Sequence, residues 1–69
     1  MKNRLKVLRA EKEITQQQLA EMINVSRQTI NSIEKNKYVP STVLALKLSK
    51  IFGVSVNEIF QLSEEETYN

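Results

Sequence analysis

The sequence predicts an all-α domain of five short helices, and three observations carry that expectation. One Gly and one Pro in 69 residues leave little of the turn chemistry that β-hairpins need. The apolar residues recur at three- and four-residue spacing and do not alternate. Thr15, Ser26, Ser41 and Ser55 each stand just before a periodic apolar stretch, where their side-chain oxygens would satisfy the free N–H groups of a helix start. A chain of this length forms at most one small domain and buries only about 60% of its unfolded surface. Without cysteine or histidine, it has neither a disulfide framework nor the usual zinc ligands, so apolar packing and local helix signals must hold it together. The same absences remove the commonest general base and the thiol nucleophile. Neither an enzyme nor a metal or cofactor is expected.

Each element follows from local signals. The first helix is expected from about Asn3 to Glu13, with Leu5 and Leu8 inward, Val7 a further candidate, and Lys2, Arg4, Lys6, Arg9 and Lys12 mostly on the other side. Thr15 caps the second helix, with Gln18 as its reciprocal capping-box partner and Leu19, Ala20 and Ile23 on one face. Asn24 ends it, because Asn tolerates the left-handed backbone better than any residue here except Gly. Ser26 caps a third helix over about Arg27 to Lys35. Ser41 caps a fourth that runs to Gly53, and Ser55 with Glu58 starts a short fifth through Phe60. Residues 1–62 therefore form the domain, and 63–69, with Glu64, Glu65 and Glu66, an acidic, flexible tail.

Hydrophobic residues make up 41% and charged residues 26% of the chain, a soluble globular balance. No apolar run approaches the roughly 20 residues that cross a bilayer, and the N-terminus opens into an amphipathic pattern with no signal-peptide core. A cytoplasmic protein without a membrane partner is expected. Residues 1–50 hold all ten Lys and Arg against four Glu, a balance of +6, whereas 51–69 hold four Glu and no base, −4. A basic body with an acidic end suits a polyanion met by one face, although a mixed solvated surface gives similar totals.

The informative segment is Gln16 to Lys35. With Ile30 at 0° and about 100° per residue, Ile33 and Glu34 fall on the inward side of the third helix, and Gln28, Asn31, Ser32 and Lys35 lie between about 100° and 200°. That face carries two amides, a hydroxyl and a lysine, with Arg27 at the helix start and no carboxylate to repel phosphate. Such side chains match a major-groove reader: amides pair with adenine and Arg with guanine. A solvated outer face would look the same on its own. Around it, however, Leu19, Ile23, Val25, Ile30 and Ile33 occupy the fourth, eighth, tenth, fifteenth and eighteenth positions of the segment, with small Ala20 fifth. This is helix-turn-helix spacing, in which a larger fifth residue would wedge the crossed helices apart.

On these residues, with Thr-Gln-Gln-Gln-Leu-Ala, Val-Ser-Arg-Gln-Thr-Ile and Ile-Glu-Lys-Asn-Lys-Tyr-Val-Pro-Ser, the chain resembles the Cro/C1-type, or XRE, helix-turn-helix regulators of bacteria and phage. The likeness spans about Leu5 to Phe60 and is nearest to the short stand-alone members. It implies a compact lambda-repressor-like fold with the helix-turn-helix at helices 2 and 3. It also implies sequence-specific binding to double-stranded operator DNA, most simply as a repressor, with no small-molecule effector in evidence. Base contacts carry over to Arg27, Gln28 and Ser32, with Thr29 beside them; Asn31 either reads a base or orients Gln28. Backbone contacts carry over to Gln16, Ser26, Lys35, Asn36 and Lys37, and Tyr38 either joins them as a donor or packs under Pro40. Arg9 and Glu34 correspond to a structural ion pair. Asn24 and Asn36 stand where the family often has glycine.

A domain of this size reads half a site, so the resemblance implies a homodimer on a palindrome. Leu46, Val56, Ile59, Phe60 and Leu62 are the candidate dimer interface, with core packing the competing role for most of them. An antitoxin-like protein-interaction module that also binds DNA is the alternative function.

Overall fold

The computed structural model describes residues 1–68. In chain order it has a short strand β1 (Lys2–Asn3), helices α1 (Leu5–Glu11), α2 (Gln16–Ile23), α3 (Arg27–Glu34), α4 (Thr42–Phe52) and α5 (Val56–Ile59), a second strand β2 (Phe60–Gln61), and α6 (Glu64–Tyr68). The fold is all-α in its body, with six helices among the described residues where the sequence predicts five. The expected N-caps are in place: the side chains of Thr15, Ser26, Ser41 and Ser55 accept from the backbone N–H of Gln18, Thr29, Leu44 and Glu58. The Thr15 box is reciprocal, since Gln18 Oε1 accepts from Thr15 N at 2.8 Å. At α5 the return arm differs, because Ser55 Oγ itself donates to Glu58 Oε1 at 3.2 Å.

Four helices close with a left-handed residue: Glu13 (φ 56°), Asn24 (φ 59°), Asn36 (φ 59°) and Gly53 (φ 66°). After α1, α2 and α3 the closure is a Schellman motif. Ile14, Val25 and Lys37 N–H reach back to the carbonyls of Arg9, Ala20 and Ser32, and Glu13, Asn24 and Asn36 N–H to those of Ala10, Glu21 and Ile33. The first helix therefore stops at Glu11, short of the expected Glu13, because Glu13 has turned out of the helix. Val7, a candidate for the core, is 48% exposed, on the outer side of α1.

The core is formed by Leu5 and Leu8 of α1, Leu19, Ala20 and Ile23 of α2, Ile30 and Ile33 of α3, Leu44 and Leu48 of α4, and Ile59 with Phe60. Ala20 is completely buried, consistent with the close approach of α2 and α3. The strands, which no local pattern announces, pair antiparallel with Lys2 opposite Gln61 and Asn3 opposite Phe60, and Arg4 N–H continues the ladder to Ile59 O at 2.9 Å. They clamp the N-terminus to the end of α5.

The stretch expected as a loose tail forms α6 over Glu64–Tyr68; Asn69 lies outside the described residues. Ser63-Glu64-Glu65-Glu66 is a capping box, with Ser63 N donating to Glu66 Oε1 at 2.8 Å and Glu66 N to Ser63 Oγ at 3.3 Å. Glu66 also meets the Met1 ammonium at 2.8 Å. The ammonium, with help from Ser63, lowers the Glu66 carboxyl from 4.5 to about 2. Because the folded value lies below the ordinary one, this tie is present above the usual carboxylate range and is lost as pH falls through about 2.

Glu13 has no reason of its own to adopt positive φ. The left-handed backbone costs an L-residue about 1–2 kcal/mol, and glycine gives back about 0.5–1 kcal/mol through its freer unfolded chain. Glu13→Gly is therefore expected to stabilise the domain by about 0.5–1 kcal/mol, read as a higher urea midpoint at unchanged slope; a lower midpoint would contradict this account of the first helix end.

Candidate nucleic-acid interface

The third helix has two chemically distinct sides. Ile30 (0% exposed) and Ile33 (1%) anchor it in the core, and Arg27, Gln28 and Lys35 are exposed on the opposite side with Asn31 and Ser32 half-buried beneath them. Two open clefts flank Gln28. One is lined by Ser26, Gln28, Thr29, Ser32, Lys37 and Tyr38, the other by Arg27, Gln28, Asn31 and Lys35. The structure thus brings together on one face all the residues expected to touch bases, together with Ser26, Lys35, Lys37 and Tyr38. Tyr38 lies in the first cleft, whereas Pro40 lines a different groove. Every charged side chain lining the two clefts is cationic: Arg27, Lys35 and Lys37.

A polar network fixes this helix from behind. Arg9 on α1 donates from Nε to Glu34 Oε2 at 2.8 Å, from Nη2 to Glu34 Oε1 at 3.3 Å, and from Nη1 to Ile14 O at 3.0 Å. The Glu34 side chain is only 5% exposed and that of Arg9 16%. A carboxylate this buried needs its oxygens satisfied, and Gln16 adds a third donor, Nε2 to Glu34 Oε1 at 3.1 Å. The same nitrogen reaches Asn31 Oδ1 at 3.2 Å. Helices α1, α2 and α3 are therefore joined through one carboxylate.

Two of the residues expected to contact the DNA backbone also bond within the chain. Gln16 directs both hydrogens of its side-chain amide at Glu34 and Asn31. Its backbone N–H, at the start of α2, keeps the polarity that favours an anion. Asn36 holds the left-handed position after α3, and its Oδ1 accepts from Asn3 Nδ2 at 2.8 Å. Asn3 also donates to Ile33 O at 2.8 Å and accepts from Leu5 N at 3.0 Å. This one side chain caps the start of α1 and fastens the end of α3, a role the sequence reading did not find. The available signal was an Asn two residues before the first periodic leucine, the spacing of an Asx-turn.

Of the candidate dimer residues, Ile59 (0% exposed) is enclosed in the core, and Phe60 (9%) packs against the core while one edge lines a surface groove. Leu46 (57%) and Leu62 (65%) are exposed, as are Val39 and Val43. With Val56, Leu46 lines an apolar groove that also includes Val39, Pro40, Ala45 and Phe60. The groove shares no lining residue with the two clefts beside α3.

A helix-turn-helix with a cationic, amide-bearing second helix defines a DNA-binding domain. The helix-turn-helix family model matches residues 5–59, and the chain belongs to that family, in its Cro/C1 or XRE type. It is 52% identical to the uncharacterized HTH-type transcriptional regulator MJ0272 of Methanocaldococcus jannaschii, over 96% of this chain and all of that one. It is 48% identical to the uncharacterized HTH-type transcriptional regulator YgzD of Bacillus subtilis, over 94% of this chain and 98% of that one. It is also 38% identical to the immunity repressor protein of Bacillus phage phi105, over 81% of this chain and 39% of the repressor. The protein is a transcriptional regulator, a role that involves no catalysis, and its relatives include an archaeal protein as well as bacterial and phage ones. Among the described residues no helix is long and apolar enough to cross a membrane.

Removing Glu34 strands Arg9. Because Arg9 keeps part of its surface in water, Glu34→Ala is expected to cost about 3 kcal/mol, the lower end for a broken buried pair, and to lower Tm by more than about 10 °C in a domain this small. A melting curve that superposes on the wild type would remove the pair from the structural framework.

Proposed function

We propose that the protein is a cytoplasmic repressor that binds a palindromic operator as a homodimer, with α3 of each copy in the major groove. The observation that carries the reading is the α3 face, with its donors exposed, its apolar side anchored and its charge uniformly positive. Arg27, Gln28, Asn31, Ser32 and Thr29 meet base edges, where amides and guanidinium discriminate among base pairs. Lys35, Lys37, Tyr38 and Ser26 meet phosphates, as do the backbone N–H of Gln16 and the loop at Asn36, and these contacts set position and salt dependence without reading sequence. Gln28 has no intramolecular side-chain bond among the described residues, so its amide is free to turn toward a base.

The homodimer rests on geometry and on exposed apolar area. One chain carries one α3, and half-sites lie one helical turn, about 34 Å, apart. Val39, Val43, Leu46 and Leu62 are exposed, and Val39 and Leu46 line the apolar groove that shares no residue with the α3 clefts, so a second copy seated in that groove leaves α3 open. Repression then needs only occupancy: a dimer seated across a promoter excludes polymerase. The same groove would serve the antitoxin-like alternative, in which a different protein occupies it.

Gln28→Ala is expected to weaken operator binding by about 1–3 kcal/mol and leave binding to unrelated DNA nearly unchanged. Lys37→Ala weakens both and lowers the magnitude of the salt slope by about one. Titrations on both DNAs at several salt concentrations decide this: equal loss for Gln28→Ala takes it out of base readout, and an unchanged slope takes Lys37 off the phosphates. Sedimentation of the protein with and without Leu46→Glu tests the interface. A dimer that becomes a monomer is expected, and a wild type that stays monomeric on its operator would contradict the proposal. A reporter behind the operator is expected to rise when the gene is deleted; a fall would make the protein an activator.

A further inference from the structure

Asn31 and Gln28 both carry carboxamides on the α3 face, but they are not equivalent. A free asparagine can offer a base one donor and one acceptor at once, the pattern that adenine N6 and N7 require. Asn31 has lost that freedom. Glu34 is buried, paired with Arg9 and able only to accept, so the Gln16 atom 3.1 Å from Glu34 Oε1 must be the NH2 nitrogen. The second hydrogen of that nitrogen points at Asn31, 3.2 Å away. Turning the Asn31 amide over would set NH2 against NH2, so Asn31 is locked with Oδ1 inward and Nδ2 outward. No side-chain acceptor among the described residues takes Nδ2, and none of the buried side-chain polar atoms lacks a partner; Nδ2 therefore opens to the cleft that Asn31 shares with Arg27, Gln28 and Lys35.

We infer that Asn31 is a specificity residue of fixed polarity: the Arg9–Glu34–Gln16 chain makes it a donor only, so that the Arg27–Asn31–Lys35 stripe selects guanine and rejects adenine at the base pair beneath Asn31. Guanine presents two adjacent acceptors, O6 and N7, which the stripe's donors can use together, whereas adenine sets an N6 donor beside its N7 acceptor, cytosine presents only the N4 donor, and thymine sets a methyl group beside its single O4 acceptor. The inference rests on the reading of α3 as the groove-binding helix. It makes Gln16 a positioning residue, acting on DNA through Asn31.

The test is selection of bound duplexes from a random library by the full-length wild type and by three variants, with each variant's thermal melt as a folding control. The wild type is expected to enrich a site containing a guanine whose identity depends on residue 31. Asn31→Asp keeps an oxygen toward Gln16 and replaces the donor by an acceptor, so the preference at that one pair moves to cytosine, with about a tenfold to hundredfold loss on the wild-type site. Asn31→Ala adds no charge and flattens the preference at the same pair. Gln16→Leu frees the Asn31 amide to turn, and adenine joins guanine at that pair. A selected site in which the pair governed by residue 31 is adenine, or in which no pair responds to Asn31→Asp and Asn31→Ala, overturns the polarity inference and leaves the DNA-binding reading standing. A wild type that enriches no sequence overturns both.

Discussion

The buried carboxylate of Glu34 is the constraint on which the rest depends. A charge only 5% exposed is tolerated where opposite charge and donors surround it. Here they come from two other helices, the Arg9 guanidinium on α1 and the Gln16 amide on α2, while α3 carries the carboxylate itself. Satisfying the carboxylate therefore fixes how α3 sits against both other helices. Apolar contacts from Ile30 and Ile33 supply the area, but they are non-directional; the bidentate Arg9 pair supplies the rotation about the helix axis. Once that rotation is set, the side bearing Arg27, Gln28 and Ser32 has nowhere to face but outward.

The same economy recurs at the helix ends. Each of the first three helices stops where one residue turns left-handed and two N–H groups reach back, so the intervening turns are short and leave little slack. Asn3 adds a lateral tie, joining the N-terminus to the last turn of α3 and to the Asn36 corner. The loop that follows, carrying Lys37 and Tyr38, starts from a fixed point. A helix that is held at its back and braced at its end has a preorganised backbone, so little backbone entropy remains to be lost when its front meets a partner.

Much of this was legible in the sequence, and the limits have physical causes. Caps and apolar periodicity are local signals, so the starts of α2 through α5 and the inward faces of α2 and α3 follow from a few neighbouring residues. The end of helix 1 is not legible in the sequence because Glu13 (φ 56°) is not a residue that announces a left-handed turn. The β1–β2 pair joins positions far apart in sequence and is two residues long on each side, too short to alternate. Helix α6 does carry a signal, Ser63 followed by Glu66, but the run of three like charges beside it argues equally for a solvated tail. At the site, the residues lining the α3 face were legible from helical geometry. What Gln16, Asn31 and Asn3 bond to was not, because one amide looks like another until its neighbours fix which atom donates.

The division of the surface follows from charge as well as shape. Cationic side chains line the α3 clefts, apolar ones line the groove by α4 and α5, and Glu66 of α6 pairs with the N-terminal ammonium. The most direct test of the account is an NMR titration of the labelled protein with duplex DNA carrying its operator, following the backbone amides together with the Arg9 Nε–H. The account predicts shifts concentrated at Arg27 to Ser32 and at Lys37 and Tyr38, with the Arg9 Nε–H still protected and unmoved. Shifts centred on Val39, Val43 and Leu46, or an Arg9 signal lost on binding, would contradict the claim that α3 is locked from behind and reads DNA from its front.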